Sequence, residues 1–499
     1  MKTNLFTLGI AAAVGSLGFS GSVVAQAQAT SLVISPTGMG HMLVVPYYTA
    51  QGGNATRLQI VNADKINGKL VKVRFRGASN ADNVFDFTLL LGPADVWTAE
   101  VSQNPNNGFA RMRTSDNTCT LPTQINQDFI GARLNPASSR SNETREGYIE
   151  IVTPANIPPT STVFPAIKHT NGNTPAPCTN GASLPVALRP LLTEVGGAAA
   201  GLGNPTTGLL ANWTIHNVNE ATAWSGEATA IVAVDSAGLP GYGNIVASPQ
   251  AIGVPSAVAS GTPITNLTAD PLLASGAVAI QLYDLPDLST PYISGWNAAQ
   301  QAARLSTVLA KASLTNEYLT DDVSQAQTDW VFTLPTRRYS VALNHATGLP
   351  VFTVLSPPYF NATNTTVAGV GGEREVCATG IGRQFWSQSE QSSPVVLPTT
   401  PTHLCGGVSV WSINGGDATA PSVVSANVTR QNIELGNQDG WGEISTPGIY
   451  RYPVILGSHG LPVMGMAFTK TPGMYAGSSI GRVWTHRFTE PKPATVIRF

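Results

Sequence analysis

The chain has 499 residues, a formal net charge of −2 and only 11% Asp, Glu, Lys and Arg, under half the usual share of about 25%. No basic block is present, so nucleic-acid binding, which needs clustered Lys and Arg against phosphate, is excluded. A hydrophobic fraction of 42% excludes wholesale disorder, and 49 Gly with 36 Pro describe a folded, loop-rich protein whose weak colloidal repulsion favours self-association.

In chain order, Lys2 precedes an apolar, small-residue run from Leu5 to Val24 and an Ala-Gln-Ala repeat ending at Ala29. That is the order of a secretory signal peptide, assigned to residues 1–29, with cleavage after Ala25, Ala27 or Ala29. Later apolar runs are too short to span a bilayer, so no transmembrane segment is expected in the mature chain. Residues 30–155 read as an N-terminal β-sandwich domain. Val71, Val73 and Phe75 alternate with Lys72, Arg74 and Arg76, giving one apolar and one cationic face. Phe85, Phe87, Leu89 and Leu91 form a second apolar row, and Asn67-Gly68 carries a hairpin signal. Residues 156–296 read as a loop-rich β region or linker, with strands expected around 213–218 and 222–234. Residues 297–499 read as a short helix, Ala298 to Ala312, followed by a C-terminal β-sandwich domain that starts near Thr328. The phrase EGYIEIVTP, Glu146 to Pro154, returns as DGWGEISTP, Asp439 to Pro447, which points to two related β-domains. The expected class is therefore all-β, with antiparallel, immunoglobulin-like sandwiches, long Pro- and Gly-rich loops and a short connecting helix.

The four cysteines of an exported chain without Cys-x-x-Cys are expected as two disulfides. Cys119 with Cys178 and Cys377 with Cys405 are favoured, because each pair brackets a Pro-containing excursion within one half. Asp321, Asp322 and Asp329 form an oxygen-rich stretch that could hold calcium, the one candidate cofactor, although no calcium-loop repeat supports it. The cationic face of Lys72, Arg74 and Arg76 is a candidate contact for anionic polysaccharide. Gly477-Ser-Ser-Ile-Gly481 has the spacing of a nucleophile elbow, but the residues after Ser479 read as a strand where that motif needs a helix. The seven histidines are scattered without zinc-site spacing. Glu150 and Glu443 sit at matching repeat positions, where a structural role is simpler than paired glycosidase chemistry. Tyr47, Tyr48, Trp97, Trp224, Trp330 and Trp441 could stack on sugars if exposed, and otherwise pack the core.

Several phrases, among them Pro46-Tyr-Tyr-Thr49, Val71-Lys-Val-Arg-Phe-Arg76, Asp95-Val-Trp-Thr-Ala99, Ser115-Asp-Asn-Thr-Cys-Thr120 and Thr328-Asp-Trp-Val-Phe-Thr-Leu-Pro335, resemble those of exported proteobacterial cell-surface or surface-layer proteins. The resemblance implies a compartment and an assembly role, with no catalytic residue to carry over. The expectation is a self-assembling structural protein of the cell surface or extracellular space, without enzymatic activity. The alternative is a secreted carbohydrate- or ligand-binding protein or hydrolase.

Overall fold

A computed structural model describes residues 26–121, 125–131, 134, 140–169, 194–245, 292–296, 298–321, 323–344, 349–352, 359–370, 373–393, 403–414, 421–435, 438–446, 455–456, 460–473, 477–491 and 495–496. The described chain is mostly strand, in antiparallel sheets with few helices, as the alternation of apolar and polar side chains predicts.

Four sheets carry the architecture. Sheet I has the order Ser31–Ile34, Thr229–Val234, Met42–Thr49, Glu146–Ile157, Gly68–Gly77, Asn83–Leu91, Cys119–Leu121. Sheet II has the order Thr222–Glu227, Leu209–Asn217, Asn54–Asn62, Val96–Gln103, Ala110–Arg113. They close on a core in which Phe87 of sheet I packs on Trp97 of sheet II with ring centroids 5.2 Å apart. Sheet III has the order Arg487–Thr489, Ser313–Tyr318, Gly440–Ser445, Gly382–Ser387, Ser392–Ser393. Sheet IV has the order Ser479–Thr485, Met464–Pro472, Gln327–Thr333, Val408–Asn414, Arg430–Glu434. Trp330 of sheet IV packs on Phe385 of sheet III at 5.6 Å.

The two sandwiches are copies of one topology. The run of sheet I from Thr229–Val234 to Asn83–Leu91 matches sheet III strand for strand. The run of sheet II from Thr222–Glu227 to Val96–Gln103 likewise matches sheet IV up to Val408–Asn414, and the matched strands follow the same order along the chain. The EGYIEIVTP and DGWGEISTP phrases occupy equivalent strands in equivalent register: Tyr48 pairs with Gly147 and Tyr318 with Gly440. Both glycines are required by close approach. A Cβ on Gly147 would meet the Arg76 carbonyl oxygen at 1.7 Å, and one on Gly440 would meet that of Trp386 at 1.9 Å. A second shared device closes the first turn of each copy. Thr56 Oγ1 donates to the Thr49 carbonyl and accepts from its N–H, as Thr328 Oγ1 does with Leu319.

The strands at Leu209–Asn217, Thr222–Glu227 and Thr229–Val234 complete the N-terminal sandwich, so that unit extends past residue 155 into the region read as linker. Met42–Thr49 and Asn54–Asn62 lie in opposite sheets, unlike the first two strands of an immunoglobulin domain. The Asn67-Gly68 hairpin expectation is corrected for the same reason. Asn54–Asn62 and Gly68–Gly77 belong to different sheets, and the connection is an Asx turn in which Asp64 Oδ1 accepts from the N–H of Ile66 and of Asn67. The helix runs Ala298–Leu309 and buries Ala302, Leu305 and Leu309. It stops short of Ala312 because Ala310 and Lys311 pair with Pro462 and Leu461. Cys377 and Cys405 form a disulfide. Cys119 is not a free thiol, and its expected partner Cys178 lies outside the described residues.

The apolar cluster of the first sandwich extends onto sheet IV, joining Tyr47, Trp213 and Trp224 to Val331, Met466 and Phe468, while Trp330, Phe332, Phe385 and Ile444 form a separate cluster inside the second sandwich. Trp224 Nε1 donates to the Thr469 carbonyl across the junction at 2.9 Å. The segment around Ser422 to Val428 is clamped from both sides. Glu146 Oε2 accepts from the N–H of Asn427 and Val428, while Asp329 Oδ2 accepts from Ser422 Oγ and Val424 N–H. Burial pushes both carboxyls above their ordinary pKa, and those donated bonds hold the rise in check.

Candidate functional site: an arginine groove on sheet II

The cationic face read from the sequence is not a surface. Lys72, Arg74 and Arg76 are each at most 2% exposed, and polysaccharide contact through them is corrected on that ground. They do occupy one face of Gly68–Gly77, opposite Val71, Val73 and Phe75, as alternation requires. What alternation does not encode is the cover, the turn Arg337–Tyr339 with the residues just before it. Tyr148 Oη donates to the Pro335 carbonyl at 3.3 Å, and Arg338 Nη1 meets Asp82 at 2.5 Å. Beneath that cover Glu150 takes Arg76 Nε at 3.1 Å and lies 3.6 Å from Arg74 Nη1, while Lys72 pairs with Asp86. Charges buried at this depth stay ionised only because they are paired.

The candidate calcium ligands do not converge. Asp329 is fully buried on a strand and serves the 422–428 clamp. Asp321 turns its carboxylate to the N–H groups of Val323 and Ser324, and Asp322 lies outside the described residues. Among the described residues no three acidic, His or Cys side chains gather as a metal cluster. Ser479 opens a strand rather than a helix, so the strand–turn–helix of a nucleophile elbow is absent there. Tyr47, Tyr48, Trp97, Trp224 and Trp330 are core residues, whereas Trp441 is 43% exposed. His41 and His486 are buried, and desolvation lowers each to a pKa of about 3. Each accepts a hydrogen bond at Nδ1, from Ala233 N–H and Asn316 Nδ2 respectively, which leaves the proton on Nε2 facing the carbonyls of Gly241 and Val331.

Exposed arginines do line up on the outer face of sheet II. Arg57, Glu100 and Arg113 are directly opposite one another on three neighbouring strands, so their side chains stand in one row about 5 Å apart. The row borders a hollow of about 570 Å³ lined also by Thr98, Arg111, Thr114, Ser115 and Asn126. The far wall is locally tied: Thr114 Oγ1 donates to the Thr98 carbonyl at 2.6 Å, and Asn126 Nδ2 to the Thr114 carbonyl at 2.9 Å. Arg111 is held by Asp128 at 3.3 Å, whose carboxyl is raised by desolvation but brought below its usual value by the combined bonds from Asn107, Asn104 and Arg111. Glu100 has His216 Nε2 at 3.7 Å. The guanidiniums of Arg57 and Arg113 make no hydrogen bond or ion pair among the described residues. Two unpaired forks flanking a single carboxylate, with hydroxyls and an amide around them, can grip an anionic group bidentately. The sequence signal was the alternation Thr56-Arg57-Leu58 and Arg111-Met112-Arg113, which places arginine on the solvent side of two short strands. Comparison with protein families, curated proteins and solved structures finds no match to this chain.

Proposed function

We propose that this chain is an exported, non-catalytic scaffold of the bacterial cell surface, self-associating there and anchored to anionic polysaccharide through the Arg57–Glu100–Arg113 groove. The row of free guanidiniums over a hollow of about 570 Å³ carries this reading. Export is supported by the signal-like first residues and by the Cys377–Cys405 disulfide, a bond at home in an oxidising compartment. A structural role is supported by how the buried carboxylates are used. Glu146, Glu150, Asp82 and Asp329 hold backbone N–H groups or arginines, and Glu146, Asp82 and Asp329 do so at the junction of the two sandwiches.

Signal cleavage after Ala25 fits best of the three sites, since Ala29 is buried and the Ala27 carbonyl and Ala29 N–H both bond Tyr242. Edman sequencing of the mature protein should begin at Gln26. The anchoring test is retention on immobilised uronic-acid polysaccharide in a salt gradient. Wild type should elute at moderate salt, because the contact is electrostatic, and Arg57→Glu with Arg113→Glu should flow through. Equal retention of the double variant would sink the groove as anchor. Electron microscopy of producing and deletion strains tests the assembly: an ordered layer lost on deletion supports it, and an unchanged surface with free protein in the medium rejects it.

A further inference from the structure

On the outer face of sheet III, Trp386 and Trp441 are directly opposite in the ladder between Gly382–Ser387 and Gly440–Ser445. Their rings stack with centroids 4.0 Å apart and planes 15° from parallel. Trp441 is 43% exposed, and Trp386 is half-buried. A stacked, water-facing indole pair on an open sheet is costly if nothing covers it, because apolar area of this size gains from removal from water. Its surroundings identify the cover. Glu317 lies in the same row on the next strand, opposite Trp441, and the row beside it is Gln384, Glu443 and Thr315. The side chains of Glu317, Glu443 and Gln384 make no hydrogen bond or ion pair among the described residues. The surface is therefore a ridge of two indoles standing face to face, each with only its outer face left uncovered by the other, rimmed by carboxylate and amide acceptors that have no partner among the described residues.

That combination suits one ligand chemistry. A pyranose ring with equatorial hydroxyls presents C–H groups on its faces and O–H donors around its edge, so it can lie on indole while donating to the rim. The two carboxylates, diagonal neighbours on this face, repel anionic ligands. We propose that Trp386 and Trp441, with Glu317, Gln384 and Glu443, form a binding site for an uncharged, β-linked glucopyranose-type chain. This site is separate from the arginine groove, on the other sandwich and of opposite charge preference.

Affinity electrophoresis in gels containing a soluble neutral β-glucan, with indole fluorescence titrated by the same glucan, tests the assignment. Wild type should be retarded and its emission changed, in a manner indifferent to salt. Trp441→Ala should weaken binding at least tenfold while lowering the thermal midpoint only slightly, through loss of its stack on Trp386. Glu443→Lys, which leaves both rings in place, should weaken it several-fold. Arg57→Glu with Arg113→Glu should leave it intact, so loss of the anionic anchor and loss of this site are read separately. Absence of retardation in neutral β-glucan, or retardation equal in Trp441→Ala, overturns the proposal. So does a fall in sedimentation coefficient on Trp441→Ala without any glucan effect, which would assign the indole pair to contact between copies.

Discussion

The outer faces of sheets I and III are the same positions of one repeated design put to opposite use. Arg76 faces Tyr148 and Arg74 faces Glu150 in the first sandwich, where Trp386 faces Trp441 and Gln384 faces Glu443 in the second. In the first, the turn Arg337–Tyr339 and its approach roof the face, so the strand pairs carry ions matched to one another. In the second, Trp441 remains 43% exposed, and the strand pairs carry aromatic and hydrogen-bonding groups. The lesson is that a duplicated sheet face is not chemically committed by its fold. What lands on it decides whether its charges are fastened inward or its rings are offered outward.

The largest break in this comparison is expected at the two matching glutamates. Glu150→Ala removes the carboxylate shared by Arg74 and Arg76 and should cost about 3–5 kcal/mol, the usual penalty for opening a buried ion pair. Glu443→Ala, at the equivalent open position, should stay within about 0.5 kcal/mol. Urea midpoints of the two variants measure both, and similar losses would mean that the roof does not distinguish the faces. Next comes the disulfide near the junction. Its sequence separation of 28 gives a chain-entropy contribution of about 3–4 kcal/mol on reduction, read as a lowered urea midpoint of Cys377→Ser with Cys405→Ser.

Acid sharpens the comparison from another side, because each sandwich holds a buried histidine whose pKa desolvation lowers. In the unfolded chain an imidazole takes its proton near 6.5, whereas folded His41 and His486 do so only at about 3. Their contribution to stability is therefore complete above pH 6.5 and is lost as the pH falls towards 3, with a slope of about 1.4 kcal/mol per pH unit for each fully engaged residue. Glu146 and Asp329 act in the opposite sense. Their raised folded pKa values mean that the folded state holds those protons more tightly, so their share of stability is greatest at low pH and lost as the pH rises through the folded values. Urea titrations at successive pH values should show a decline below 6.5 that His486→Gln reduces by about half. A small effect is expected at the indole pair, where Trp441→Ala should cost about 1 kcal/mol in urea unfolding through loss of the stack on Trp386.

Much of this was legible in the residues. Alternation at Val71 to Arg76 assigned each side chain to its face, and the nine-residue echo located equivalent strands in both copies. The pairing of Cys377 with Cys405 followed from local spacing. The misreadings share one cause, which is that local pattern fixes the sidedness of a strand without specifying what packs on it. Arg74 and Arg76 looked solvent-facing because the segment that covers them lies more than 250 residues downstream. Asn67-Gly68 looked like a hairpin because nothing local reports that the chain changes sheets there. Asp329 looked like part of a loop cluster with Asp321, although strand pairing with Phe468 and Ser412 draws it into the core. Trp386 escaped notice because its meaning depends on Trp441, 55 positions later and one strand across.

The apolar junction between the two sandwiches has a mechanical corollary. Tethered beads usually unravel one after another under tension, each releasing its length separately. Here Phe468 is wedged among Tyr47, Trp213 and Trp224, and the stretch from Ser422 to Val428 is gripped by a carboxylate from each half. Tension applied along the chain is therefore spread over both halves at once, and stretching between two optical traps should record one large rupture rather than a two-step staircase. A surface coat built from such units would resist shear up to a single sharp yield point instead of creeping.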